Sequence, residues 1–299
     1  MVSPPACDAR DGFVSIAQLG KRDRESLSTL TNATPLRLAA SSYLNTAPLI
    51  WSFKDGSQHD AVELMTDAAP ARCADMLLRG EVEAALVPVI EYQRILDACL
   101  VPGVCVGSHS AVRSVVLVSK DPELKNVRKV ALDSSSRTSQ ALVKIIFKEF
   151  LNVEPVFETG SPDIRTMLKE NDAALLIGDP AMKLLPEDGH VFDLASLWHR
   201  FTKTGFVFAM WMARAASAQA VSRVDFAAAR DEGLEQIDRV ISNYEQKVPL
   251  SRDEMRRYLT ENITFRLDER LEEGMRLYFE LAEKHGLINQ RRQLEFISS

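Results

Sequence analysis

Seven consecutive residues, Asp133-Ser134-Ser135-Ser136-Arg137-Thr138-Ser139, separate a strand-like apolar run at 129–132 from a long amphipathic segment at 136–151 with helical periodicity. Their hydroxyls and free N–H groups therefore project from a helix N-terminus, a place that binds carboxylate or phosphate. Four serines, a threonine and an arginine exceed what one cap needs. Arg137 offers a planar fork for a carboxylate, with a structural pairing to Asp133 or Asp179 as the alternative. A second polar run, Ser41-Ser42-Tyr43-Leu44-Asn45-Thr46, follows the first strand-like run directly. Its Asn45 amide can hold a hydroxyl or a carboxylate without changing charge, although the same run also serves as a capped helix start. Ser114 opens a further strand, and Glu91 and Asp179 each follow one, either as carboxylates in a cleft or as bridges across it.

Several chemistries lack their parts. There is no G-x-G-x-x-G, no G-x-x-x-x-G-K-[ST], no H-E-x-x-H and no G-x-S-x-G, which removes nucleotide, zincin and acyl-enzyme readings. The four cysteines, at 7, 73, 99 and 105, include no C-x-x-C pair, so they read as small buried hydrophobes in a reducing compartment and not as a metal framework. His109 and His199 have no partner legible in the sequence and read as structural. A formal charge of −6 argues against phosphate-backbone attraction and hence against a nucleic-acid partner.

The elements that must position these residues follow from periodicity. A chain of 299 residues suits about two domains. Short apolar runs at 36–40, 84–89, 115–118, 129–132, 154–157 and 173–177 alternate with helix-like segments at 70–79, 136–151 and 162–170, the order of an α/β protein with buried strands. Pro70 suits a first helical turn, Leu77 and Leu78 an apolar face, and Gly80 the left-handed position after the last turn. Residues 79–91 and 169–180 echo each other, each running through an acidic residue and Ala-Ala-Leu into a strand and a turn. From about 225 to 285 apolar residues, Tyr258 and Tyr278 among them, recur at helical intervals as a packing stripe. The expectation is a two-lobed α/β clamp with C-terminal helices: a first lobe of residues 35–112 and 209–299, a second of 113–208, and a poorly ordered extension at 1–34. Ligands in such sheets bind beyond the carboxyl ends of strands, which points to 41–46, 89–91, 114, 133–139 and 178–180. The first 33 residues show neither a basic n-region nor an unbroken apolar stretch, so a cytoplasmic protein without membrane association is expected.

Taken together, the strings Ser42-Tyr43-Leu44-Asn45-Thr46-Ala47-Pro48-Leu49, Leu86-Val87-Pro88-Val89-Ile90-Glu91-Tyr92, Ala111-Val112-Arg113-Ser114-Val115, Asp133 to Ser139, Leu176-Ile177-Gly178-Asp179-Pro180-Ala181 and Gly205-Phe206-Val207-Phe208-Ala209-Met210-Trp211 resemble the chorismate dehydratase family of the futalosine route to menaquinone. The resemblance runs from about residue 35 to 288. It implies a type II periplasmic-binding-protein-like fold and loss of water from chorismate to give 3-[(1-carboxyvinyl)oxy]benzoate, with no metal or organic cofactor. It also implies Asn45 and Ser114 as the catalytic pair, and the polar runs read above place Ser42, Tyr43, Thr46, Glu91, Ser135, Ser136, Arg137, Thr138 and Asp179 toward substrate as an expectation. The base would be Glu91 or the substrate's own enolpyruvyl carboxylate, the latter being already placed in a closed cleft. One departure is Val89, where many relatives carry serine. The alternatives are a small-carboxylate solute-binding protein without catalysis and 1,4-dihydroxy-6-naphthoate synthase, which shares the fold; a regulator's effector domain would need a helix-turn-helix for which residues 1–34 are too short.

Overall fold

The structure, a computed structural model, describes residues 35–298, so the extension expected at 1–34 lies outside the described residues. Runs of small and branched apolar residues build ten strands in two five-stranded sheets. In the first sheet β1 (Leu36–Ser41) pairs in parallel with β2 (Val62–Asp67) and β3 (Ala84–Pro88). An antiparallel β10 (Phe206–Arg214) lies between β3 and β4 (Ala98–Ser108). In the second sheet β6 (Lys129–Asp133) pairs in parallel with β7 (Val156–Gly160) and β8 (Ala173–Ile177), and an antiparallel β5 (Val115–Ser119) separates β8 from β9 (His190–Asp193). The sheet orders β2-β1-β3-β10-β4 and β7-β6-β8-β5-β9 are the same plan executed twice. The two segments that echo each other in sequence end in β3 and β8, which hold equivalent places beside the antiparallel strand. Both are wholly buried, as strands covered on both faces must be.

Local rules set the helix ends that matter for the site. Helix α1 (Ala47–Asp55) follows β1 after a single 3-10 turn, Leu44–Thr46. Helix α2 (Pro70–Arg79) begins on proline and ends where Gly80 turns left-handed at φ 70°, letting Gly80 and Glu81 donate N–H groups back to Leu77 and Met76. Leu77 is buried as expected, whereas Leu78 points to solvent. Helix α3 (Arg137–Ile145) starts at the Ser136 cap and widens into a π-turn at Ile146–Leu151, so the long amphipathic segment is continuous in space but not in pitch. Helices α4 (Ile164–Glu170) and α5 (Leu194–Thr202) complete the second lobe. β2 and β9, with α5, went unseen in the sequence because β2 and β9 are half-exposed edge strands without a continuous apolar run.

The strand β10 pairs wholly within the first sheet. The C-terminal region forms α6 (Phe226–Glu235), α7 (Ile237–Ser242), α8 (Arg252–Arg257) extended by a π-turn at Tyr258–Asn262, and α9 (Glu269–Lys284). Its apolar stripe is buried, and one continuous core reaches from β1 through both sheets to Ile297. Cys73 and Cys105 are buried free thiols, and burial pushes the Cys73 thiol up to about 12, which leaves it inert. Among the described residues no helix is long and apolar enough to cross a membrane, and no three His, Cys, Asp or Glu side chains converge as a metal site needs.

Candidate active site

A cleft with about 490 Å³ free of protein atoms opens where the two sheets present the carboxyl ends of their parallel strands. Its polar lining residues are Ser41 at the end of β1, Tyr43, Asn45 and Thr46 after it, and Ser136, Thr138 and Ser139 at the start of α3. Its apolar ones are Pro70, Leu86, Pro88, Val106, Val115, Ile177 and Phe208, joined by Gly178 and Ala209. Leu86 and Pro88 stand two residues apart on β3 and so share a face of the sheet. Among the described residues that line the cleft, none carries a charge at neutral pH.

Asn45 is the middle residue of the Leu44–Thr46 turn. Thr46 pins that turn, its Oγ1 lying 2.6 Å from the Ser41 carbonyl oxygen and 2.8 Å from that of Tyr43. The Leu44 N–H donates across the cleft to Asp179 Oδ1 at 3.0 Å. Asn45 Oδ1 itself is buried and has no hydrogen-bond partner.

Ser114 Oγ is, with Asn45 Oδ1, one of five buried side-chain polar atoms without a partner among the described residues, and its neighbour Val115 lines the cleft. A strained turn presents Ser114: Arg113 has φ 64°, a left-handed conformation costing a non-glycine residue about 1–2 kcal/mol. Three contacts hold the turn. The Arg113 N–H donates to Asp193 Oδ2 at 2.6 Å, the Arg113 guanidinium reaches Glu254 at 3.2 Å, and the Ser114 carbonyl accepts the Gly178 N–H at 2.7 Å. A buried polar group left unpaired costs about 1–3 kcal/mol, and here two of them accompany a strained backbone.

Tyr258 was legible only as one residue of an apolar stripe, yet its buried hydroxyl comes close enough to Ser114 and Asn45 to be influenced by both. Burial holds its phenol well above the ordinary tyrosine range, with Ser114 and Asn45 opposing, so it stays a neutral hydroxyl. The sequence carries no signal for it, since the π-turn it opens is a distortion common at functional sites but unreadable from periodicity.

At the start of α3, Ser136 Oγ accepts the Ser139 N–H at 3.3 Å, and Thr138 Oγ1 accepts the Ile90 N–H from the first lobe at 3.2 Å. The Arg137 and Thr138 N–H groups precede the first intrahelical acceptor and remain available to an anion. Ser135 does not line the cleft: its hydroxyl and N–H both donate to Asp133 Oδ1, at 2.6 and 2.8 Å. Burial raises the Asp133 carboxyl above its usual range, while Ser135 and the Ile177 N–H pull it down.

Several expected contacts are not made to the cleft. Arg137 turns out of it, with Nη2 2.7 Å from Asp75 and Nη1 3.1 Å from Glu91. Its partners are therefore neither Asp133 nor Asp179. Glu91 is buried, also takes Arg94 at 2.9 Å, and bridges the lobes instead of facing a substrate. Held between two guanidinium groups away from the lining, it is badly placed to act as a base. Ser42 is exposed, its N–H donated to Asp67 and its carbonyl accepting the Tyr244 hydroxyl at 2.8 Å. Asp179 sits behind Tyr43 and Leu44, its carboxyl raised by burial against the opposing Leu44 N–H, Lys183 and Lys247. Val89 is fully buried and outside the lining. Tyr43, Asn45, Thr46, Ser136 and Thr138 remain as cleft-lining polar residues from the expected set, with Ser114 adjacent.

The model of a family described as menaquinone biosynthesis matches residues 36–284, nearly the whole described fold. The chain belongs to this menaquinone-biosynthesis family. A curated relative in Thermus thermophilus, chorismate dehydratase, is 31% identical over 276 residues, covering 85% of this chain and 96% of the relative. Solved structures agree on the architecture at far lower identity. A Candida albicans gene product described as having the generic periplasmic binding protein fold superposes with a TM-score of 0.63 at 13% identity, covering 87% of this chain and 92% of that one. The periplasmic aliphatic sulphonate binding protein of Escherichia coli gives 0.59 at 16%, covering 90% and 95%. This family member thus has the two-lobed periplasmic-binding-protein fold expected from its alternating strands and helices.

Proposed function

We propose that the protein is a chorismate dehydratase, a carbon–oxygen hydro-lyase that converts chorismate to 3-[(1-carboxyvinyl)oxy]benzoate and water in the cytoplasm. The observation that carries the reading is the near full-length match to the Thermus enzyme, and the chemistry of the cleft supports it. Chorismate brings two carboxylates and a flat apolar ring. The free N–H groups and hydroxyls at the start of α3 suit the ring carboxylate, and Leu86, Pro88, Val115, Ile177 and Phe208 suit the ring. Asn45 and Ser114 would then serve the far end, where the leaving hydroxyl and the enolpyruvyl ether stand.

The reaction removes the ring proton beside the ether and expels the neighbouring hydroxyl as water. Conjugation to the ring carboxylate acidifies that proton, and fixed donors at α3 stabilise the charge that develops there. A base is still required, and the lining residues supply no carboxylate, imidazole or amine. The substrate's enolpyruvyl carboxylate fills that role: it is held beside the proton and stripped of water when the lobes close, which raises its basicity. Asn45 orients this carboxylate or the leaving hydroxyl through its free Oδ1 and amide N–H groups, and the Ser114 hydroxyl relays the proton.

Incubation of the purified protein with chorismate tests the reading. Loss of the diene absorbance with appearance of a product lighter by one water is expected. Unchanged chorismate that nonetheless protects the protein against thermal unfolding would refute the enzyme in favour of a solute-binding protein.

A further inference from the structure

We propose that Asp179 is a positioning residue: by accepting the Leu44 N–H across the cleft it sets Asn45 against Ser114 only when the two lobes are closed. The inference rests on the dehydratase reading, in which those two side chains act on one substrate. Its basis is a single dipeptide, Gly178-Asp179, that contacts the backbone of Ser114 and of the residue before Asn45. The Gly178 N–H donates to the Ser114 carbonyl at 2.7 Å, within the second lobe. The next residue, Asp179, accepts the Leu44 N–H at 3.0 Å, and Leu44 immediately precedes Asn45 in its turn. As the first N–H of that short turn, Leu44's has no acceptor inside it. The partner it finds comes from the other lobe, 135 residues along the chain.

The surroundings leave this contact little freedom. Gly178 has φ 62° and ψ −145°, a conformation open to glycine and strained for any other residue. A Cβ on Gly178 would stand 2.5 Å from Cδ2 of Tyr43, so the Tyr43 ring lies flat against the glycine and fixes the approach of the 43–44 peptide. From its own lobe the turn is held by Tyr244 at the Ser42 carbonyl and by Thr46. On this proposal, parting of the lobes would break the Asp179–Leu44 contact while Ser114 kept its Gly178 contact, and closure would restore the spacing of the pair. Misplacing a catalytic group by about 1 Å can cost a hundredfold in rate, enough to make this one acceptor kinetically visible.

The test compares the full-length wild type, Asp179→Ala and Asp179→Asn by steady-state turnover of chorismate, thermal unfolding and amide hydrogen exchange of the 42–46 segment. Asp179→Ala is expected to lower kcat by about tenfold to a hundredfold with a smaller change in KM, and to speed exchange at the Leu44 amide. Asp179→Asn, whose amide oxygen still accepts a hydrogen bond, is expected to recover kcat to within about threefold of wild type and to restore protection of that amide. Wild-type kcat in Asp179→Ala, an equal loss in both variants, or an unchanged Leu44 exchange rate would each overturn the proposal. If the wild type itself leaves chorismate intact, the dehydratase reading fails, and the exchange comparison still decides whether Asp179 holds the turn. Should Asp179→Ala fail to fold, the asparagine variant carries the test alone: a kcat reduced tenfold or more with Leu44 still protected would overturn the positioning role.

Discussion

Replacing Asp75 by asparagine decides whether Arg137 serves the substrate or the closed clamp. Arg137 leaves the start of α3 and reaches two carboxylates of the first lobe, Asp75 at 2.7 Å and Glu91 at 3.1 Å. Glu91, almost fully buried, keeps Arg94 at 2.9 Å within its own lobe, so opening does not strip it of every counter-charge. Asp75 and Arg137 are about one-third exposed, at 34% and 29%. Exposed ion pairs are worth about 0.2–1 kcal/mol, and hydrogen bonds to charged groups away from solvent about 1.5–3 kcal/mol. A pair between these limits contributes about 1 kcal/mol, all of it to the closed form. Asp75→Asn should therefore raise KM for chorismate about fivefold with little change in kcat, and the difference should shrink in about 0.5 M salt. Steady-state kinetics at two salt concentrations measures this directly. If Arg137 instead grips a substrate carboxylate, freeing it from Asp75 would leave KM unchanged or lower it, while Arg137→Met would abolish binding; that pair of results would refute the clasp.

Asn45→Ala and Ser114→Ala should each reduce kcat by about a hundredfold or more, while thermal unfolding holds steady or rises because each removes a buried atom with no partner; a fall in stability would mean these atoms are paired in the free protein. Tyr258→Phe, which keeps the ring and deletes the hydroxyl beside both, should lower kcat about tenfold with unchanged pH dependence below about pH 9, since burial keeps the phenol neutral; a lost alkaline limb would show a phenolate at work. Glu254 is held down to about 2 by hydrogen bonds from Ser251 and by Arg113. A depressed carboxyl stabilises the fold above its unfolded range and ceases to as pH falls through the folded value. Glu254→Gln should accordingly melt below wild type at neutral pH and converge with it near pH 2, and a constant offset down to that pH would show that the charge is not the cause.

What could be read in the sequence was local. Pro70 and Gly80 bracket α2 because each satisfies a backbone condition of its own position, and the polar run at 133–139 announces a helix start whatever lies elsewhere. The same locality explains what failed. The true partners of Arg137 lie 46 and 62 residues away, on elements brought near only when the two sheets face each other. Ser42 follows β1 more closely than Asn45 does, yet the direction of the turn sends Ser42 to solvent and the Asn45 Oδ1 inward. Tyr258 counted as apolar in the periodic stripe because a tyrosine contributes a hydrophobic body to packing and a polar tip to whatever it faces. Tyr278, in the same stripe, likewise donates its hydroxyl to the Thr138 carbonyl at 3.0 Å, tying α9 to the start of α3.

These contacts distribute charge in a consistent way. Three arginines near the cleft are consumed by carboxylates in clasps beside it, Arg137 by Asp75 and Glu91, Arg94 by Glu91 and Arg113 by Glu254, and the lining keeps hydroxyls and an amide. An arginine fork in the cleft would bind a dicarboxylate more tightly, but it would also lower the basicity of the carboxylate it gripped. Neutral donors at α3 can hold the ring carboxylate while the enolpyruvyl carboxylate, facing no cation, keeps its proton affinity. On the proposed reading no side chain among the described lining residues adds a charge to the substrate's two, and a carboxylate that meets no lining cation keeps the basicity to act as the base.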